Sequence, residues 1–342
     1  MNNYGAINRV WVLVRALIIQ GIFLLSLNHT YAGDNDASQV NDFTAVVKSI
    51  DAKLQQHHYN PVELRSEAYQ QAYNAMLDAA STATTKEAFI AAINAIWQHG
   101  PFSHVQLNSM QQPVEQLITF LDSMSVGEQA SQLVWDNDVA IMTINTMMGQ
   151  DTIERIEGFY KEISQQDHKA IIIDLRNNEG GAFATRPLVS HLIKEPVDAG
   201  YFTTQQWTKN NNNLPTSTDI AAIAPWDGWS IRAFWQTIEQ QPIIKVRFEP
   251  ISPIIEVPVY ILISNKTASA SELAIDALRS IGRVTIIGEP TAGKMLSQKP
   301  YDILGGYQLY LPIADYYSGK NGRLESNPII PNIQVHAGDA LT

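Results

Sequence analysis

The sequence predicts an α/β core preceded by a small helical domain. Two observations carry this reading: apolar residues recur at helical spacing from Asp42 to about Gln98, and after about Leu133 short β-branched runs alternate with helical segments. The composition agrees, because 45% of the 342 residues are hydrophobic and a chain of this length can bury a large core.

Residues 1–32 read as an export signal. Arg9 and Arg15 supply positive charge, residues 16–27 form an apolar run, and Thr30-Tyr31-Ala32 is a small-x-small cleavage site that would start the mature chain at Gly33. An uncleaved anchor is the competing reading, since residues 10–27 approach spanning length, but Arg15 and Gln20 interrupt the run. With cleavage, no stable membrane insertion is expected. There is no cysteine, which excludes disulfides, thiolate metal sites and a cysteine nucleophile; export without disulfides suits a periplasmic or secreted protein.

Residues 33–130 are expected to form the helical domain and a linker. Phe43, Val46, Val47, Ile50 and Leu54 mark one helix face, and Phe89, Ile90, Ile93, Ile96 and Trp97 another. Thr84 or Thr85 followed by Glu87 reads as a helix start. The α/β core is expected over 131–342. Strand candidates are 139–144, 170–175, 257–263, 284–287 and 307–311, and helix candidates are 152–164, 186–193 and 269–280. Within the core, residues 200–250 look like an insertion holding four of the seven tryptophans, Trp207, Trp226, Trp229 and Trp235. Such a segment is either a lid or substrate platform, or a satellite hydrophobic cluster.

The net charge of −11, with no basic run, argues against nucleic acid as a partner and leaves a polypeptide or small molecule. The histidines show no metal-ligand spacing, and neither metal nor cofactor is expected.

Three loops carry candidate chemistry. Ser269 lies where strand 257–263 passes into a helix; there its hydroxyl meets free backbone N–H groups and the helix dipole, which favour a developing negative charge. Serine is also a favoured helix cap, and Glu272 three residues on completes a capping box, so position alone does not decide. The turn from Asp174 to Gly181 ends in Gly180-Gly181, where backbone amides can approach a ligand as an oxyanion hole requires. The third loop, Gly288-Glu289-Pro290-Thr291-Ala292-Gly293-Lys294-Met295, nearly matches a nucleotide-binding P-loop. Met295 stands where a hydroxyl should bind Mg²⁺, Glu289 opposes phosphate, and Pro300 limits any following helix.

These motifs, in this order, resemble those of the tail-specific, or C-terminal processing, serine peptidases and their tricorn-core relatives. The resemblance covers about 140–335 and includes Gln298 and the ending from Gly322-Arg323-Leu324-Glu325 to Pro328-Ile329-Ile330-Pro331-Asn332-Ile333. It implies a ClpP/crotonase-like core with Ser269 as nucleophile, Lys294 as general base and Gln298 orienting the lysine. The N–H groups of Gly180 or Gly181 and of Ala270 would form the oxyanion hole. A basic lysine must be desolvated to act near neutral pH, and Ala292, Met295 and Leu296 are expected to do this. Ser103-His104 resembles the Ser-His pair of the tricorn branch and supplies an alternative base. Asn177 and Glu179 depart from the family's usual glycine and proline. Only about 40 residues separate the helical region from the core, so the family's usual PDZ domain is expected to be absent. The rival readings are a non-catalytic carrier on the same fold and a P-loop nucleotide-binding protein.

Overall fold

The computed structural model describes residues 42–341; the export signal expected at 1–32 lies outside the described residues. From Phe43 onward the chain forms one compact unit. Helices α1 (Phe43–His57), α2 (Glu67–Thr82) and α3 (Lys86–Gln98) bury the apolar faces expected of them. Ser66 caps α2 by accepting from the Tyr69 N–H at 3.2 Å, and Thr85 caps α3 by accepting from Ala88. Strand β1 (Gln106–Ser109) and helix α4 (Val114–Ser123) follow, then β2 (Ser131–Asp136) and β3 (Val139–Ile144).

The core continues through α5 (Gln150–Ser164), β4 (Ala170–Asp174), α6 (Thr185–Ser190) and β5 (Val197–Thr204). Helices α7 (Gln205–Asn210) and α8 (Ser217–Ala221), strand β6 (Pro225–Trp226), helix α9 (Ile231–Gln240) and strand β7 (Ile243–Phe248) come next. Strand β8 (Val259–Ile263), helix α10 (Ala270–Leu278) and strand β9 (Val284–Gly288) lead to β10 (Ser297–Ile303), β11 (Tyr307–Ser318), β12 (Gly322–Arg323) and β13 (Ile333–Gln334).

Two sheets result. One has the order β13-β9-β8-β4-β3-β2 and is parallel except for β2, as the run of strand, helix and strand predicts. Ile171, Ile173, Val259, Ile261 and Ile286 are all nearly inaccessible, so one face of β4, β8 and β9 lies in the core while the other is partly covered. The other sheet orders β1-β11-β5-β7-β6, with β10 and β12 also on β11.

The second sheet changes two expectations. The helical region is not set apart: β1 pairs antiparallel with β11, and Lys86 Nζ donates to the Gly306 carbonyl at 2.8 Å. Residues 200–250 are not a bare insertion either, because both ends are sheet strands, with Thr203 of β5 opposite Ile243 of β7. The P-loop reading also fails, since Lys294 is followed by strand β10 and not by a helix.

Candidate active site

The three loops singled out in the sequence follow the carboxyl ends of adjacent strands β4, β8 and β9, where open parallel sheets place their sites. Hydrogen bonds lace them together. Thr267 Oγ1 donates to the Leu175 carbonyl at 2.8 Å, the Ala268 N–H donates to the Asn178 carbonyl at 3.1 Å, and the Ala292 N–H donates to the Thr267 carbonyl at 2.9 Å. Asp174 and Arg176 form a bidentate pair at 2.6 and 2.8 Å, and Arg176 also reaches the Ala337 carbonyl, so this pair is structural.

Ser269 sits immediately before α10 with φ 55° and ψ −121°, a conformation rarely adopted by a side-chain-bearing residue. Its N–H donates to the Lys294 carbonyl and to Glu272 Oε2, each at 3.0 Å. Glu272 is fully buried, and its carboxylate also accepts from Thr291 Oγ1 and from the Gly293 and Lys294 N–H groups, at 2.5 to 2.9 Å. Burial pushes this carboxyl above its ordinary value, and the hydrogen bonds oppose that by favouring the ionised form. The residue that reads as a helix cap therefore also fixes the whole β9 loop beside the serine.

Gly180 lies against Ser269. A Cβ there would stand 2.7 Å from Ser269 Cβ and 2.8 Å from the Ala268 carbonyl, and φ is +100°. At Gly181, φ +139°, a Cβ would meet Met148 at 2.7 Å. The Gly180 N–H is committed to Asn178 Oδ1 at 2.9 Å. The exposed Gly181 and the first helical residue Ala270 carry N–H groups that meet no acceptor among the described residues.

Lys294 is brought to Ser269 through its backbone, but its side chain is exposed while Met295 and Leu296 are 4% and 3% accessible. The expected desolvation by these neighbours is therefore not what the fold produces, since they turn into the core. Gln298 lies on β10 opposite Pro312, and no hydrogen bond joins it to Lys294.

Ser103 and His104 follow α3. Phe102 anchors this segment, its ring 4.1 Å from that of His58 and 5.0 Å from that of Trp97. Ser103 Oγ donates to Glu325 Oε1 at 2.6 Å and lies 2.6 Å from His104 Nδ1. A hydroxyl has one proton. With that proton donated in the hydrogen bond to Glu325, the contact to Nδ1 is filled by the ring's own N–H, which leaves Nε2 unprotonated. The other oxygen of Glu325 accepts from the Met295 and Leu296 N–H groups at 2.6 and 3.2 Å. Burial lowers the imidazole below the ordinary histidine value; Glu325 opposes the shift and Lys294 reinforces it. His104 also has a positive φ of 64°. Neither His104 nor Lys294 hydrogen-bonds Ser269 Oγ in this resting structure.

Glu325 is the member that sequence reasoning left without a role. It stands in the quoted ending of the chain, but nothing local links it to a residue 222 positions earlier.

A strained serine at a helix start, Gly180 packed against it and a buried carboxylate behind it define an α/β protein with a strand-end site. The chain belongs to Peptidase family S41, whose pattern matches residues 138–335. It is 26% identical over 199 residues to carboxyl-terminal-processing peptidase 3, chloroplastic, of Arabidopsis thaliana, covering 58% of this chain and 32% of that protein. It is 29% identical over 171 residues to a carboxyl-terminal-processing protease of Picosynechococcus sp., covering 50% and 33%. The chain thus spans about a third of the length of these curated relatives. The fold is similar to that of the photosystem II D1 C-terminal processing protease, with TM-score 0.53, 13% identity and coverage of 87% of this chain and 93% of that one. A lipoprotein from Streptococcus agalactiae shares it with TM-score 0.53, 18% identity and coverage of 86% and 91%.

Proposed function

We propose that this chain is an exported serine endopeptidase, periplasmic or secreted, that cleaves extended or unfolded polypeptides through a Ser269 acyl-enzyme. The observation that carries the mechanism is the Glu325 carboxylate. It ties the Ser103–His104 pair to Met295 and Leu296, directly after the residue whose carbonyl holds the Ser269 N–H. In this reading Ser269 Oγ attacks the scissile carbonyl as its proton passes to His104 Nε2. The N–H groups of Gly181 and Ala270 bind the oxyanion. His104 then protonates the leaving amine, and water hydrolyses the acyl-enzyme with His104 again as base.

Lys294 with Gln298 remains the second reading of the base. It is favoured by the backbone bond between Lys294 and Ser269, and disfavoured by the exposure of the lysine side chain. Cleavage specifically from a C-terminus is not part of the proposal, because residues 99–138 are taken up by β1, α4, β2 and their connections.

Ser269→Ala is expected to abolish cleavage of an unfolded protein, measured by gel or mass spectrometry; undiminished cleavage contradicts the proposal. An acylating probe separates a peptidase from a carrier, since a carrier would leave Ser269 unlabelled.

A further inference from the structure

The loop that carries Gly180 and Gly181 runs directly into Phe183, which faces three aromatic residues of the 200–250 segment. Its ring centroid lies 5.5 Å from that of Trp226, 6.1 Å from that of Trp229 and 6.3 Å from that of Phe234. Beneath them Phe202 and Phe248 are buried, packed 5.2 Å from Phe234 and 5.3 Å from Trp229. The upper four stay partly exposed. A contiguous, partly uncovered aromatic surface beside a reactive loop is the property of a binding site and not of a closed core. Trp229 strengthens this, because it is held at φ 38°, and a bulky residue keeps such a conformation only when its surroundings over-determine it.

We propose that Phe183, Trp226, Trp229 and Phe234 form a subsite that receives a bulky apolar side chain of the polypeptide substrate. The occupant is fixed by continuity: the same loop supplies one wall of the subsite and the candidate oxyanion glycine, so a chain bound at Ser269 passes it. The proposal rests on the peptidase reading, and the 200–250 segment then acts as a specificity element.

The test uses a peptide series in which Phe replaces Ala at one position at a time. Cleavage is read as kcat/KM with the wild type, and binding as Kd from fluorescence anisotropy with the Ser269→Ala chain. One position should favour Phe over Ala by roughly tenfold or more, the scale of burying one aromatic side chain. Trp226→Ala should bring that ratio to within about twofold, and Trp226→Phe should retain it. The same ratio read on Phe234→Leu keeps the test independent of the folding of Trp226→Ala. A Phe preference that survives in both variants, or the lack of any preference in the wild type, overturns the subsite. Peptides bound with the preference but not cut would sink the peptidase reading and leave the subsite standing; peptides cut without preference would do the reverse.

Discussion

Ser103 has one proton to give, and a carboxylate can only accept it, so the bond to Glu325 leaves His104 Nδ1 to donate and Nε2 unprotonated, the form that the proposed role of base needs. The place of Ser269 at a helix start is legible in the sequence, because a strand run passes into helical spacing there; its position alone also fits a helix cap, and the ordered motifs around it are what set it apart. Glu325 is not legible, since its role arises only when the chain's end folds back onto a segment near its start. The neighbours of Lys294 mislead for a related reason: apolar residues adjacent in sequence bury their own side chains and need not cover the lysine. Gly180→Ala is a prediction at this scale. The added Cβ would press on Ser269 Cβ at 2.7 Å in a left-handed backbone, and kcat/KM should fall by roughly 10²- to 10³-fold, the cost of a misplaced oxyanion site. Activity within about threefold of wild type would show that Gly180 is not packed on the nucleophile.

Helix α10 is an element held by one buried carboxylate. Its Glu272 accepts hydrogen bonds from Ser269, Thr291, Gly293 and Lys294, so it anchors both the helix start and the β9 loop. Removing it in Glu272→Ala leaves four donors without their acceptor, which should cost about 3–5 kcal/mol and lower the melting temperature by roughly 5–10 °C. Calorimetry checks this, and an unchanged melting temperature contradicts it. Strands β4, β8 and β9 are legible because one face is buried and the other is only partly accessible, so short β-branched runs mark them. Strand β11 is only half legible: expected at 307–311, it extends to Ser318 through Pro312, which sits where the pairing with β10 shifts register. Gly200 similarly masks β5, at the bulge where its pairing with β7 slips.

Over the whole molecule, the early helices and the late strands form one body, which helical periodicity near the N-terminus cannot reveal. Beyond β1, a polar network makes the join. Asp315 on β11 is 1% accessible and accepts from Arg323 Nε at 2.7 Å; Arg323 also donates to Tyr59 Oη, which donates to Glu63. Burial pushes the Asp315 carboxyl up to about 6, against the pull of Arg323. The folded chain then binds more protons than the unfolded one between the ordinary value of 3.8 and about 6, so this group's contribution to stability falls as pH rises through that window. In Asp315→Asn that pH dependence should vanish. Urea unfolding of both proteins at pH 4, 5, 6 and 7 tests it, and parallel stability curves would contradict it.

The most direct test of the site is the pH dependence of kcat/KM for the wild type, His104→Ala and Lys294→Ala on one peptide substrate. The account predicts that His104→Ala loses activity by roughly 10³-fold or more. It predicts that Lys294→Ala keeps a measurable rate, and that the wild-type acid limb falls below the ordinary histidine value, as burial of His104 requires. Activity that survives loss of His104 but disappears with loss of Lys294 would contradict it and return the base to the lysine.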